Sequence, residues 1–343
     1  MPSIRARRLS ASFLVAALIA ACGASGASVR PTVPPGATGS LLPAATATPA
    51  PSASGPPAFP VTLTGDDGTT IEIPAAPEQI VSLTPAETEI LYALDVGDRV
   101  VGKVEDIANY PPEAEDVPVM GTFSGVDVEK IVAAGTDLVI AGGNGGTQPE
   151  AIDKLRDLDI PVLVVYASDV AGVYHDIELT GQAVGASDAA DDLVAALKTG
   201  FAEVAAATAG AARPRVFYET GDQPSIYGIA DGSVYAEMIR LAGGAPITTG
   251  STTSWEQSTE KLIEADPELI ILGDSAYGVT PEAVAKRPGW SGLTAVKTGR
   301  IVGIDDILVT RPGPRLADGL RLLVAAIHPE LAMPSPSPAS SGG

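Results

Sequence analysis

Few residues of this chain could carry out a reaction. It has two histidines, His175 and His328, and one cysteine, Cys22. Two histidines this far apart, with no third ligand at metal spacing, do not make a metal site. Each reads as an ordinary surface residue, His328 beside the last carbonyls of a helix. No G-x-S-x-G elbow or Walker loop is present. Residues 142–146, GGNGG, sit between a strand pattern and a helix pattern, as a dinucleotide loop would. However, G-x-G-x-x-G counted from Gly143 requires glycine where Gln148 stands. The preferred reading is that Gly142 and Gly143 lie at the carboxyl end of a parallel strand, where the backbone approaches whatever occupies a cleft. No cofactor is implied, and the remaining candidates are groups for recognition rather than reaction.

The candidates come in a repeat. FSGVDVEKIVAAGTDLVI at 123–140 is echoed by SWEQSTEKLIEADPELIIL at 254–272. Each copy has an aromatic, Phe123 or Trp255, ahead of a Glu-Lys pair, Glu129-Lys130 or Glu260-Lys261, then a short helix, a turn and an apolar strand. Such an echo marks a duplicated unit. A glutamate in a first helical turn is favoured by the helix dipole, and shared ancestry explains its recurrence. The two rings either face each other across a cleft or each cap the core of their own half.

These residues are positioned by strands that alternate with helices. A hairpin over 61–73 is followed by strands at 80–83, 100–104, 138–141 and 162–165, with helices at 86–94, 128–133 and 150–158. A second set has strands at 216–219, 269–272 and 300–304, with helices at 234–242, 259–264, 281–285 and 314–327. Strands apolar on both faces and alternating with helices imply parallel sheets covered on both sides. EILYALDVG at 89–97 also resembles EMIRLAGG at 237–244. The fold class is therefore α/β, two Rossmann-like lobes with parallel sheets, 60–168 and 211–331. The connector, 169–210, has no strand pattern, and 187–208 predicts one long rigid helix of about 33 Å, with Ser187 or Asp188 as N-cap.

The ends imply a location. Arg5, Arg7 and Arg8 precede an apolar run over 9–21 that is too short to span a bilayer, so 1–21 reads as a secretory signal. IAA-Cys22 resembles the lipobox of bacterial lipoproteins, which makes Cys22 the acylated residue and 22–59, rich in Pro and Ala, a tether. With Cys22 as the only cysteine, no intrachain disulfide can form. Residues 332–343 read as a disordered tail. Net charge −21, from 21 basic and 42 acidic residues, argues against nucleic acid and against lying flat on anionic lipid.

Taken together, YPPEA at 110–114, the 121–140 segment, LAGG at 241–244, EKLIEADPELIIL at 260–272, PGW at 288–290, AVKTGRIVGID at 295–305 and RPGPRLADGL at 311–320 resemble the helical-backbone solute-binding proteins of ABC importers. That group carries vitamin B12, ferric siderophores or haem. The resemblance covers about 60–330. It implies a monomeric lipoprotein on the outer face of the cell membrane, partnered by a permease and its ATPase, clamping a metal chelate between lobes. It places permease-docking acids at Glu129 and Glu260, a stacking ring at Phe123 with Trp255 near its counterpart, and a cleft arginine, Arg311, that meets a polar or anionic ligand edge. Where B12 binders of this type carry a tyrosine and a tryptophan, this chain has Ile107 and Gly142. Histidine clusters like those of zinc and manganese receptors are absent. An enzyme or chelatase on the same scaffold, or a sensor without a transporter, is the alternative.

Overall fold

The computed structural model describes residues 59–122, 124–331 and 333. The expected signal, Cys22, nearly all of the tether, Phe123 and nearly all of the tail lie outside the described residues. Strands β1 (Val61–Thr64) and β2 (Thr70–Ile73) form the expected antiparallel hairpin around Asp67 and Gly68. The first lobe then runs β3 (Ile80–Ser82), α1 (Pro85–Ala93), β4 (Val100–Val104), β5 (Val119–Thr122), β6 (Gly125–Val126), α2 (Val128–Ala133), β7 (Leu138–Gly142), α3 (Pro149–Arg156) and β8 (Val162–Val165). The connector holds α4 (Val170–Val184) and α5 (Ser187–Thr208). The second lobe runs β9 (Arg215–Glu219), α6 (Val234–Leu241), β10 (Ala245–Ile247), α7 (Thr259–Ala265), β11 (Leu269–Leu272), α8 (Pro281–Val284), α9 (Thr294–Thr298), β12 (Ile301–Gly303), α10 (Ile307–Thr310) and α11 (Leu316–Ile327).

The duplication is visible in the sheets. The second lobe has the strand order β10-β9-β11-β12, all parallel. The first lobe has β6-β5-β4-β3-β7-β8, whose last four strands repeat that order, first-to-second crossover included. Helices α1 and α6, the pair whose sequences echo, occupy the same crossover in each lobe. The first lobe differs by carrying β5 and the antiparallel β6 on its edge.

Alternation along each strand divides the core into layers. Val81, Val139, Val162 and Val164 pack outward with Ile131 and Leu155, while Phe217, Ile270 and Leu272 do the same with Leu262 and Trp290. Their neighbours Ile80, Leu138, Leu163, Val216, Tyr218 and Ile271 face inward, and there one continuous cluster joins both lobes through Val173 and Ile177 of α4 and Val194 and Leu197 of α5. At about 25 cal/mol per Å² of apolar surface buried, this shared layer opposes wide separation of the lobes.

Two expectations are corrected. Helix α5 has the expected bounds, but it follows a separate helix, α4, which ends at Gly185 in the left-handed conformation, φ 77°. Ser187 is the first helical residue, so the cap position falls to Ala186, which makes no side-chain capping bond. The connector is thus a helical pair; α4 packs on β1 and α1 on one side and α6 on the other, and α5 packs on α6 and α11. His328 is not a surface residue. It is 2% exposed, with Nε2 3.3 Å from the Gly243 carbonyl and Nδ1 3.1 Å from Glu330. His175 is exposed, as read.

Candidate ligand cleft

The carboxyl ends of the first lobe's strands and the facing loops of the second line a cavity of about 520 Å³ between the lobes. A second cavity of about 610 Å³ adjoins it, sharing Gly143, Asn144, Tyr166 and Trp255 as walls. Both volumes are in the range of small-molecule sites. Of the residues singled out from sequence, Gly142, Gly143, Trp255 and Arg311 meet at the first cavity. Trp290 belongs to the outer core of the second lobe, 1% exposed and edge-on to Phe217 at 6.3 Å.

The loop after β7 is shaped by contacts with its neighbours. A Cβ on Gly142 would stand 2.7 Å from the Thr84 methyl, and one on Gly143 would stand 2.9 Å from the Tyr166 Cβ. The glycines therefore let the loop close onto the α1 cap and the end of β8, forming part of the cleft wall. Thr147 pins the turn by donating its amide to the Gly142 carbonyl, 2.9 Å, and accepting the Gly142 amide at Oγ1, 3.0 Å.

Aromatics line the cleft from both lobes. Trp255 stands edge-on to Tyr235, with ring centroids 5.4 Å apart, and the Tyr235 hydroxyl donates to the Thr310 carbonyl, 3.1 Å. Burial pushes that hydroxyl up to about 12. From the first lobe comes Tyr166, 45% exposed, whose amide donates to Asp66 Oδ2 at 2.6 Å. Tyr166 was not apparent in the sequence, because it closes an apolar strand and lies outside the repeat.

Arg311 reaches the cavity with its guanidinium already engaged. It donates to Glu89 Oε1 at 2.8 Å and to Asp106 at 2.7 and 3.0 Å, and its side chain is only 11% exposed. Arg315 completes the cluster with two bonds to Glu89, 2.6 and 2.8 Å, and stacks over Tyr110 at 3.6 Å. Two arginines of the second lobe thus hold two acids of the first. Burial works against the Asp106 carboxylate, but the Arg311 and amide hydrogen bonds outweigh it, so its pKa lies below the usual range.

On the floor, Glu87 and Asp176 are 2% and 5% exposed. Thr84 caps α1 by accepting the Glu87 amide, 3.1 Å, which turns Glu87 toward α4, where Thr180 donates to its Oε2 at 2.9 Å. Oδ1 of Asp176 is buried without a hydrogen-bond partner. Burial, then the charge of Glu87, then Asp66 push Asp176 up to about 9, and burial raises Glu87 to about 7. Sequence showed neither role, because both arise only where α1 packs against α4.

Glu129 and Glu260 lie away from the cleft, exposed in the first turns of α2 and α7. Those helices are capped alike, by Asp127 accepting the Lys130 amide and Ser258 accepting the Lys261 amide. Among the described residues no cluster of His, Cys, Asp and Glu is arranged to hold a metal ion, and no helix is long and apolar enough to cross a membrane.

The periplasmic binding protein family model matches residues 80–308. The ABC transporter substrate-binding lipoprotein YvrC of Bacillus subtilis is 37% identical over 79% of this chain and 87% of its own length. A cobalamin-binding protein of Halobacterium salinarum is 29% identical, covering 79% of this chain and 74% of its own. Among solved structures, the apo periplasmic haem-binding protein RhuT of Roseiflexus superposes with a TM-score of 0.65 at 25% identity, over 74% of this chain and 98% of that one. With two lobes of repeated topology around a shared cleft, and a family model spanning strands β3 to β12, this chain belongs to the periplasmic binding protein family.

Proposed function

We propose that this protein is the substrate-binding lipoprotein of an ABC importer, held at the outer face of the cell membrane through Cys22, and that it captures a metal chelate between its lobes and hands it to the permease. The observation that carries this reading is the cleft itself, two adjoining cavities walled by Tyr166 from one lobe and by Tyr235 and Trp255 from the other. Flat aromatic faces suit a macrocycle or planar chelate, and each ring offers roughly 150–250 Å² for burial. The names of the relatives support the transporter assignment.

Glu129 and Glu260 supply the docking step. Each is an exposed acid at the same place in its lobe, so a two-fold permease with paired basic residues can grip both at once. The protein performs no reaction on its cargo and works as a monomer with the permease and its ATPase. The test is Glu129→Ala combined with Glu260→Ala in cells. Chelate uptake is expected to be abolished while the purified variant keeps the wild-type dissociation constant; normal uptake would refute the docking role.

A further inference from the structure

Resting on the chelate reading above, we infer that Glu87 and Asp176 select the cargo, pairing with carboxamide groups on its rim, so that the chelate taken has amides and not carboxylates at its edge.

The first observation is the unmatched acid on the floor of the cavity. Asp176 is 95% buried there, with the Asp66 carboxyl as its hydrogen-bonding neighbour, and its Oδ1 meets no N–H or hydroxyl of the protein, whereas a buried carboxyl oxygen ordinarily has one. A bound group that supplies an N–H completes it.

The second is the charge of the lining. Among the described residues of the first cavity, Arg311 is the only cation, and it is occupied by Asp106 and Glu89. The other charged groups that bear on the floor are acids. They are Glu87 from α1, Asp176 from α4 and Asp66 from the hairpin, with Asp231 lining the adjoining cavity, while Asp67 beside Asp66 is paired with Arg156 at 2.9 Å. From α6 come the Tyr235 hydroxyl and Glu237, which is occupied in accepting the Val170 amide at 2.8 Å. A carboxylate or catecholate edge would enter this lining without a counter-ion, because the one guanidinium is already held by Asp106 and Glu89.

The third is the protonation state, which separates an amide from a cation. With its pKa raised to about 9, Asp176 is a neutral acid at pH 7, one O–H donor with one carbonyl acceptor. A carboxamide offers the complementary pair, and the two groups join through two hydrogen bonds with no net charge buried. An ammonium group would require the ionised acid that this burial disfavours.

The experiment compares two corrin rings with the same cobalt centre, dicyanocobinamide with an amide rim and dicyanocobyrinic acid with a carboxylate rim. Haemin and ferrioxamine B, a hydroxamate chelate bearing an ammonium group, complete the set. Dissociation constants at pH 7 are read from tryptophan quenching. Cobinamide is expected to bind at least thirtyfold more tightly than cobyrinic acid or haemin. Asp176→Asn, which keeps a donor and an acceptor, is expected to hold cobinamide within threefold of wild type, and Asp176→Leu to lose at least tenfold, with both melting temperatures at or above wild type. Cobyrinic acid, haemin or ferrioxamine B binding as tightly as cobinamide would overturn the inference and leave the chelate reading standing. Unchanged cobinamide binding by Asp176→Leu would also overturn it. No binding of any of the four by folded protein would overturn both.

Discussion

Two groups of buried acids border one cleft and are treated in opposite ways. On one side Glu89 and Asp106 are matched by Arg311 and Arg315, with every short contact crossing from one lobe to the other. On the floor Glu87 has the Thr180 hydroxyl, Asp176 has the Asp66 carboxyl beside it, and neither has a cation. A buried ion cluster costs desolvation that its own attraction roughly repays, so its main effect is to fix geometry, here the approach of the two lobes. An unmatched acid fixes nothing in the empty protein and leaves hydrogen-bonding capacity for a ligand. The difference teaches that acids buried at one cleft can be treated in two ways, paired with cations across the lobes in one place and left without a cation in the other.

The largest effect is expected from breaking the matched side. Arg311→Ala strands Asp106 in a buried site, while Glu89 keeps Arg315, and should cost about 3–5 kcal/mol of stability in urea unfolding, since an uncompensated buried charge is the penalty. Next comes the floor, with the opposite sign. Asp176→Asn removes a carboxyl that is buried without a full set of partners and should stabilise the empty protein by about 1–3 kcal/mol at pH 8. The pH dependence follows from the raised pKa values. Asp176 and Glu87 bind protons in the folded state that they release in the unfolded state, so wild-type stability should fall as pH rises from about 4, through about 7 for Glu87, to about 9 for Asp176. In Asp176→Asn that decline should be shallower above pH 7, and parallel curves in thermal melts would contradict the assignment. The smallest effect is expected from Arg315→Lys, which keeps the charge but loses the two-pronged grip on Glu89 and the stacking on Tyr110, about 1 kcal/mol by urea midpoint.

The scaffold was legible in the sequence wherever apolar patterns are long. Strands β7, β8 and β11 are near-continuous apolar runs, and α2 and α7 begin where their Glu-Lys pairs placed them. Strand β10, Ala-Pro-Ile, was missed because three residues carry no periodicity. Helix α4 was not assigned because 169–186 was read only as lacking a strand pattern, although Gly185 ahead of Ser187 is the glycine stop that a helix end favours. In the cleft, Gly142, Gly143 and Trp255 were found from strand ends and the repeat. Its electrostatics were not, because the decisive partners are remote: Glu87 meets Thr180 across 93 positions, and Arg311 meets Glu89 across 222. Read from sequence, Arg311 was a cation available to an anionic ligand edge; in the fold its guanidinium is bound to Asp106 and Glu89.

The central claim is that the cleft between the lobes holds a chelate against Trp255. The most direct measurement is a cyanocobalamin titration of the purified protein and of Trp255→Ala, followed by calorimetry so that both report on one scale. Saturable binding of one cobalamin per chain, weakened at least tenfold by the substitution, about 1.4 kcal/mol, is the outcome this account requires. Equal affinities for the two proteins would place the ligand elsewhere, and no binding by either folded protein would remove cobalamin as the cargo.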